Sequence, residues 1–209
     1  MSASQMESGM YLAQEVASPG YLAIQLLVQL LTVALLTLCP GVKEKNADAT
    51  EKTLHEAAML GDLMAVEFLL KEGKRPSEED KEHYTPLHWA VAKGHVHVAR
   101  QLIEFGADLE KRGGRFLLTP LHMAAGEGHL NTSRLLLDAG AHVNSLDRFR
   151  NSPMHWAAWF GHLSVVRFLV ERGGNYTLTN RDGYTPRDMA SVRRSWDIVQ
   201  WFDVLKDVP

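Results

Sequence analysis

The chain has 209 residues, 45% of them apolar and 22% charged, with a formal charge of −3 and ten histidines. That balance describes a folded domain with a real core and excludes a disordered chain, while the small net charge removes any global electrostatic reason to bind nucleic acid. A single cysteine, Cys39, excludes an internal disulfide framework and a cysteine-based zinc site, and fits a reducing compartment.

In chain order, residues 1–20 are polar and read as a disordered segment. Residues 21–39, YLAIQLLVQLLTVALLTLC, carry no charge; as a helix they reach about 28 Å, close to one bilayer core. Gln25, Gln29 and Thr32 form a narrow polar stripe, which suits helix association in a membrane or a wet face on a soluble bundle. No Lys or Arg precedes Lys43, so the basic start of a secretory signal is missing. If the helix inserts, Lys43 and Lys45 keep residues 43–209 on the cytosolic side. Three fates stay open for it: a membrane anchor, an apolar cover for the residues that follow or for a partner, and a cleaved signal. Residues 40–50 read as a linker.

From residue 51 onward the chain repeats itself. Thr85-Pro86-Leu87-His88-Trp89-Ala90 recurs as Thr119-Pro120-Leu121-His122-Met123-Ala124 and as Ser152-Pro153-Met154-His155-Trp156-Ala157, with a weaker copy at Thr185-Pro186-Arg187-Asp188-Met189-Ala190. The steps are 34, 33 and 33 residues, and Leu54-His55 lies 33 before Leu87-His88, which makes five units, about 51–83, 84–117, 118–150, 151–183 and 184–207. Each has a Thr or Ser N-cap, Pro at the first helical position and a short helix stopped at Gly94, Gly128 or Gly161. A second helix follows, with apolar residues at helical spacing such as Val98, Ala99, Leu102 and Ile103, and ends at Gly106, Gly140 or Gly173. Residues rich in Asp, Asn, Arg and Gly join the units as turns or hairpins. One extra residue near Gly113-Gly114 predicts an irregular hairpin before Thr119.

The pattern Thr-Pro-Leu-His-x-Ala, then Gly-His, then an apolar helix ending in Gly, at a period of 33, resembles the ankyrin repeat family over residues 50–205. The resemblance implies an all-α solenoid of about five helix-turn-helix units with short projecting hairpins, here preceded by the hydrophobic helix. It also implies a concave groove that binds other proteins. Lys52-Thr53 and Arg187-Asp188 depart from the pattern at the two ends, as terminal units facing water do.

His88/His95, His122/His129 and His155/His162 are seven apart, yet a glycine and a helix break separate each pair. The first of each pair is expected to bond backbone of the neighbouring hairpin. No metal, nucleotide or nucleophile motif accompanies them, so neither an enzyme nor a cofactor is expected.

In the family pattern the two residues before Gly-His and the hairpin tips face the groove. The first read Ala92-Lys93, Gly126-Glu127 and Trp159-Phe160; the tips read Glu82, Phe116, Phe149 and Asp182. The candidate partner-binding set is therefore Phe116, Phe149, Trp159 and Phe160, with Arg115, Arg148, Arg150, Arg181 and Arg193 around them. Aromatics and arginines dominate interface hot spots, and arginine pairs bidentately with carboxylates. The predicted partner is a protein segment with acidic and apolar residues. Nucleic acid is not expected, because the arginines lack a base-stacking motif. Trp89 and Trp156, at the regular apolar position of the first helix, are assigned to the core. The alternative function is a membrane protein that associates through residues 21–39 and presents the repeats as a cytosolic face.

Overall fold

The structure, a computed structural model, describes residues 52–206, which fall within one compact unit, Lys52–Pro209. The predicted segments 1–20, 21–39 and 40–50 lie outside the described residues. Among the described residues no helix is long and apolar enough to cross a membrane.

Ten helices are present among the described residues: α1 Leu54–Leu60, α2 Leu63–Lys71, α3 Pro86–Ala92, α4 Val96–Glu104, α5 Pro120–Gly126, α6 Leu130–Asp138, α7 Pro153–Trp159, α8 Leu163–Glu171, α9 Pro186–Val192 and α10 Trp196–Lys206. They form five pairs. Each first helix packs on its own second helix, on the first helix before it and on the first helix after it; second helices stack likewise. No strand occurs among these residues, only a bridge between Gly113 and Leu118.

Local chemistry accounts for the pairing. Pro occupies the first turn of α3, α5, α7 and α9 behind an extended Thr or Ser, where its missing N–H has no intrahelical partner to lose. Thr53 caps α1 without Pro, in a box with Glu56. The turn between the helices of each pair needs a left-handed residue; Gly61, Gly94, Gly128 and Gly161 supply it in the first four at φ 73 to 81°, and Arg194 in the fifth at 61°. Behind the caps sit fully buried Leu87, Leu121 and Met154 with paired alanines such as Ala157 and Ala158, small enough to let successive helices approach closely. In α6 the equivalent inward positions hold Thr132 and Ser133, whose hydroxyls are buried and bond the His129 carbonyl at 3.1 and 2.9 Å.

Histidines fasten the stack in two directions. Nε2 of His55, His88, His122 and His155 bonds the carbonyls of Tyr84, Leu118, Asn151 and Tyr184 at 3.0 to 3.1 Å, in each case the residue before the next unit's cap. In the middle three, Nδ1 accepts from the Thr or Ser backbone N–H at 3.1 to 3.2 Å. That acceptance places the ring proton on Nε2. The second histidines reach the other way: Nε2 of His95, His129 and His162 donates to the carbonyls of Met59, Ala92 and Gly126 in the preceding unit at 2.9 to 3.1 Å. His95 also stands at the N-cap of α4.

Candidate functional site

The hairpins project from the stack, and three of the four are built around one acceptor side chain. In hairpin 3, residues 147–151, Oδ1 of buried Asp147 accepts the N–H groups of Phe149 and Asn151 at 2.8 Å, and its Oδ2 accepts the indole N–H of Trp156 at 3.0 Å. Hairpin 1, residues 80–84, repeats this with Asp80 and Trp89, at 2.8 Å. In hairpin 4, residues 180–184, Asn180 accepts from Asp182 and Tyr184, and Met189 stands in place of the tryptophan. In hairpin 2, residues 113–118, Gly113 stands in place of the acceptor and Met123 in place of the tryptophan. The acceptor's outer oxygen is occupied by an indole wherever the helix offers one.

The tips are joined by backbone bonds. Gly114 N–H donates to Glu82 O at 3.0 Å, Arg148 N–H to Phe116 O at 2.8 Å and Arg181 N–H to Phe149 O at 2.9 Å. In hairpin 3 the donating and accepting residues, Arg148 and Phe149, are adjacent; in hairpin 2 they are Gly114 and Phe116, with Arg115 inserted between them. The predicted irregularity is this one-residue insertion. It turns the Arg115 guanidinium over the Phe116 ring at 4.6 Å.

An aromatic row runs from the tips onto α7. Ring centroids lie 5.8 Å apart for Phe149 and Phe116, 6.2 Å for Phe116 and Trp156, and 6.0 Å for Trp156 and Phe160, the last pair stacked at 25°. Between them opens a cavity of about 180 Å³ lined by Phe116, Phe149, Asn151, Trp156, Trp159 and Met189. The Arg193 guanidinium lies 4.9 Å over the Trp159 ring.

The structure thus brings three of the four predicted aromatics, Phe116, Phe149 and Trp159, to one cavity. Phe160 stacks on Trp156 outside the lining, next to Gly126, where an added Cβ would come within 3.7 Å of its ring. Of the arginines, Arg115 and Arg193 cover aromatic faces, whereas Arg148, Arg150 and Arg181 are exposed on the tips and outside the lining. None of the five has an ion-pair partner among the described residues. Trp156, assigned to the core from its position, is half-buried and forms a wall of the cavity, as does Met189. The signal that marks Trp156 is Asp147 nine residues earlier, the spacing that also joins Asp80 to Trp89.

Asn151 is the one lining residue with a side-chain amide, and that amide is engaged: Nδ2 donates to Asp147 Oδ2 at 3.1 Å and Oδ1 accepts from Asn180 at 2.9 Å. Burial pushes the imidazoles of His88 and His122 down to about 4 and lowers that of His155, so all three are neutral near pH 7 and act as fixed structural donors. No group of three or more His, Cys, Asp or Glu side chains that could hold a metal ion occurs among the described residues.

A family model described as ankyrin repeats, three copies, matches residues 21–113, 54–147 and 112–180. The chain is similar to the 26S proteasome non-ATPase regulatory subunit 10 of Dictyostelium discoideum, 40% identical over 70 residues, 32% of this chain and 30% of that protein. It is also similar to protein phosphatase 1 regulatory subunit 27 of Homo sapiens, 44% identical over 55 residues, 26% of this chain and 36% of that one. A third relative is palmitoyltransferase AKR1 of Saccharomyces cerevisiae, 48% identical over 52 residues, 25% of this chain and only 7% of the enzyme. The matches thus span about a third or less of these relatives' lengths.

Proposed function

The chain belongs to the ankyrin repeat family, and from that premise we propose that it is a noncatalytic protein-binding module, an adaptor, scaffold or inhibitor that holds a partner on the face carrying Phe116, Phe149, Trp156 and Trp159. The observation that carries the reading is the aromatic cavity bordered by arginines. Folding alone gives no reason to leave Phe149 and Phe160 41% and 48% exposed beside a cavity of this size. Such a cluster has the composition of an interface hot spot, where truncating one anchor costs about 2 kcal/mol or more of binding. Two of the similar proteins are named as regulatory subunits, which supports a role exercised through other proteins. The enzyme among them shares 7% of its length with this chain, too little to bring a catalytic reading with it.

The test is affinity purification of the full chain from cells, with quantitative mass spectrometry, comparing wild type with Phe149→Ala/Trp159→Ala and recording thermal melts of both. A folded variant that loses a specific set of partners supports the reading. A folded variant that keeps them all sinks it.

A further inference from the structure

The chemistry of the cavity wall selects what can enter it. Two of the four aromatic residues that line the cavity already carry a guanidinium over a ring face, Trp159 that of Arg193 at 4.9 Å and Phe116 that of Arg115 at 4.6 Å. No carboxylate lines the cavity. A lysine, arginine or methylated ammonium entering there would meet two guanidinium groups and no counter-charge, at a cost that rises as water is excluded. A polar occupant gains little from the Asn151 amide and the Trp156 N–H, which are already bonded within the fold. What remains is an apolar surface of about 180 Å³, slightly larger than the roughly 150 Å³ apolar cavity that holds one benzene. One phenyl ring or one branched or thioether side chain fills it.

Outside the cavity the sign of charge reverses the preference. Arg148 and Arg150 flank Phe149 on one tip and Arg181 stands on the next, all exposed and without ion-pair partners among the described residues. Asp182 is the opposing charge on those two tips beyond the buried Asp147. The tips' own backbone bonds to one another occupy Arg148 N–H, Arg181 N–H and the carbonyls of Phe116 and Phe149. A partner is therefore read by side chains rather than by adding a strand there.

We propose that the site takes a segment of a protein partner in which a single Phe, Leu or Met anchor, seated in the cavity, is flanked by Asp or Glu residues that pair with the tip arginines, and that it rejects cationic anchors. The proposal rests on the binding face described above and specifies the occupant's chemistry.

The experiment is selection of random 12-residue peptides displayed on phage against the full chain, followed by titration of a selected synthetic peptide by fluorescence anisotropy. Enriched peptides carry one bulky apolar residue with acidic neighbours. Replacing those acids with lysine, replacing the anchor with trimethyllysine, or reversing Arg150→Glu and Arg181→Glu in the protein each weakens binding about tenfold or more. The arginine variant keeps the wild-type melting temperature, because both side chains are solvent-exposed. Enrichment of basic peptides, tight binding of the trimethyllysine peptide, indifference to the arginine reversal, or no enrichment at all overturns the proposal. If selected peptides bind wild type and Phe149→Ala/Trp159→Ala equally, the binding face itself is misassigned. If they lose binding to that variant but lack acids, the face stands and the charge rule falls.

Discussion

The indole N–H of Trp156 donates to the carboxylate of Asp147 at 3.0 Å, and the same oxygen set anchors two backbone N–H groups of hairpin 3. One side chain therefore fixes both the tip that carries Phe149 and the ring that walls the cavity. The relation explains why a tryptophan can sit half-buried at a position that periodicity assigns to the core: its polar edge is satisfied inside the fold, leaving its face for the site.

Asp147→Ala leaves four donors, the N–H groups of Phe149 and Asn151, the Asn151 amide and the Trp156 indole, without their acceptor and is expected to destabilise the domain by about 2 to 3 kcal/mol. Asp147→Asn, which keeps one oxygen, costs less. In a double-mutant cycle with Trp156→Met, measured by urea denaturation, the two sites couple by about 1 kcal/mol. Strict additivity would show that the indole bond contributes nothing.

Acid should weaken this protein well before its carboxylates titrate. The unfolded chain takes up protons at His88 and His122 near pH 6.5, whereas burial holds the folded values at about 4. Protonating Nδ1 in the folded state would also set a proton against the Thr85 or Thr119 N–H that it accepts. Between those pH values the unfolded state binds more protons, so stability is intact above pH 6.5 and falls as pH drops toward 4. Each of the two removes roughly 2 kcal/mol by pH 5, and His155, lowered in the same direction, adds to the loss. Urea midpoints at pH 7.5 and 5 measure it. His122→Gln flattens the dependence even though the variant starts less stable.

Glycine at position 128 is fixed by two demands at once. Its φ is +76°, and a Cβ there would lie 2.6 Å from the His162 ring of the next unit. Gly140, at φ +102°, has nothing within 4 Å of the same atom. Gly140→Ala is expected to cost about 1 kcal/mol, the backbone penalty alone, and Gly128→Ala about 2 kcal/mol more, from displacement of the ring and its bond to Gly126. Thermal melts of the two variants rank them. Equal losses would show that the ring yields freely.

The helix pairs and the forward histidine bonds were legible because both recur with the repeat, so each unit supplies an independent copy of the same evidence. The backward bonds of His95, His129 and His162 were not, since their partner carbonyls lie 36 to 37 residues earlier and carry no side-chain signature. Phe116, Phe149 and Trp159 stood out as aromatics at positions the stack leaves free. Their convergence with Trp156 and Met189 depends on how hairpins 2 and 3 overlie α7 and α9, which no single unit encodes. Phe160 shows the same limit, for the helix ends at Trp159 and the next residue stacks on Trp156 without lining the cavity. The hydrophobic stretch 21–39 lies outside the described residues.

The backward fastening is incomplete at one place. Units 2, 3 and 4 each return a histidine to the unit before them, but unit 5 has Ser195 there, its hydroxyl 3.2 Å from where a Gly161 Cβ would stand. Only the forward bond from His155 spans that junction in the histidine ladders. Amide hydrogen exchange should accordingly release α9 and α10 before α3 to α8, at lower denaturant and with its own slope; uniform protection across all of them would contradict this. A chain of near-identical units thus acquires a direction, with a detachable end that carries Met189 and Arg193, so that fraying of the last unit would dismantle one wall of the cavity while the rest of the solenoid stays folded.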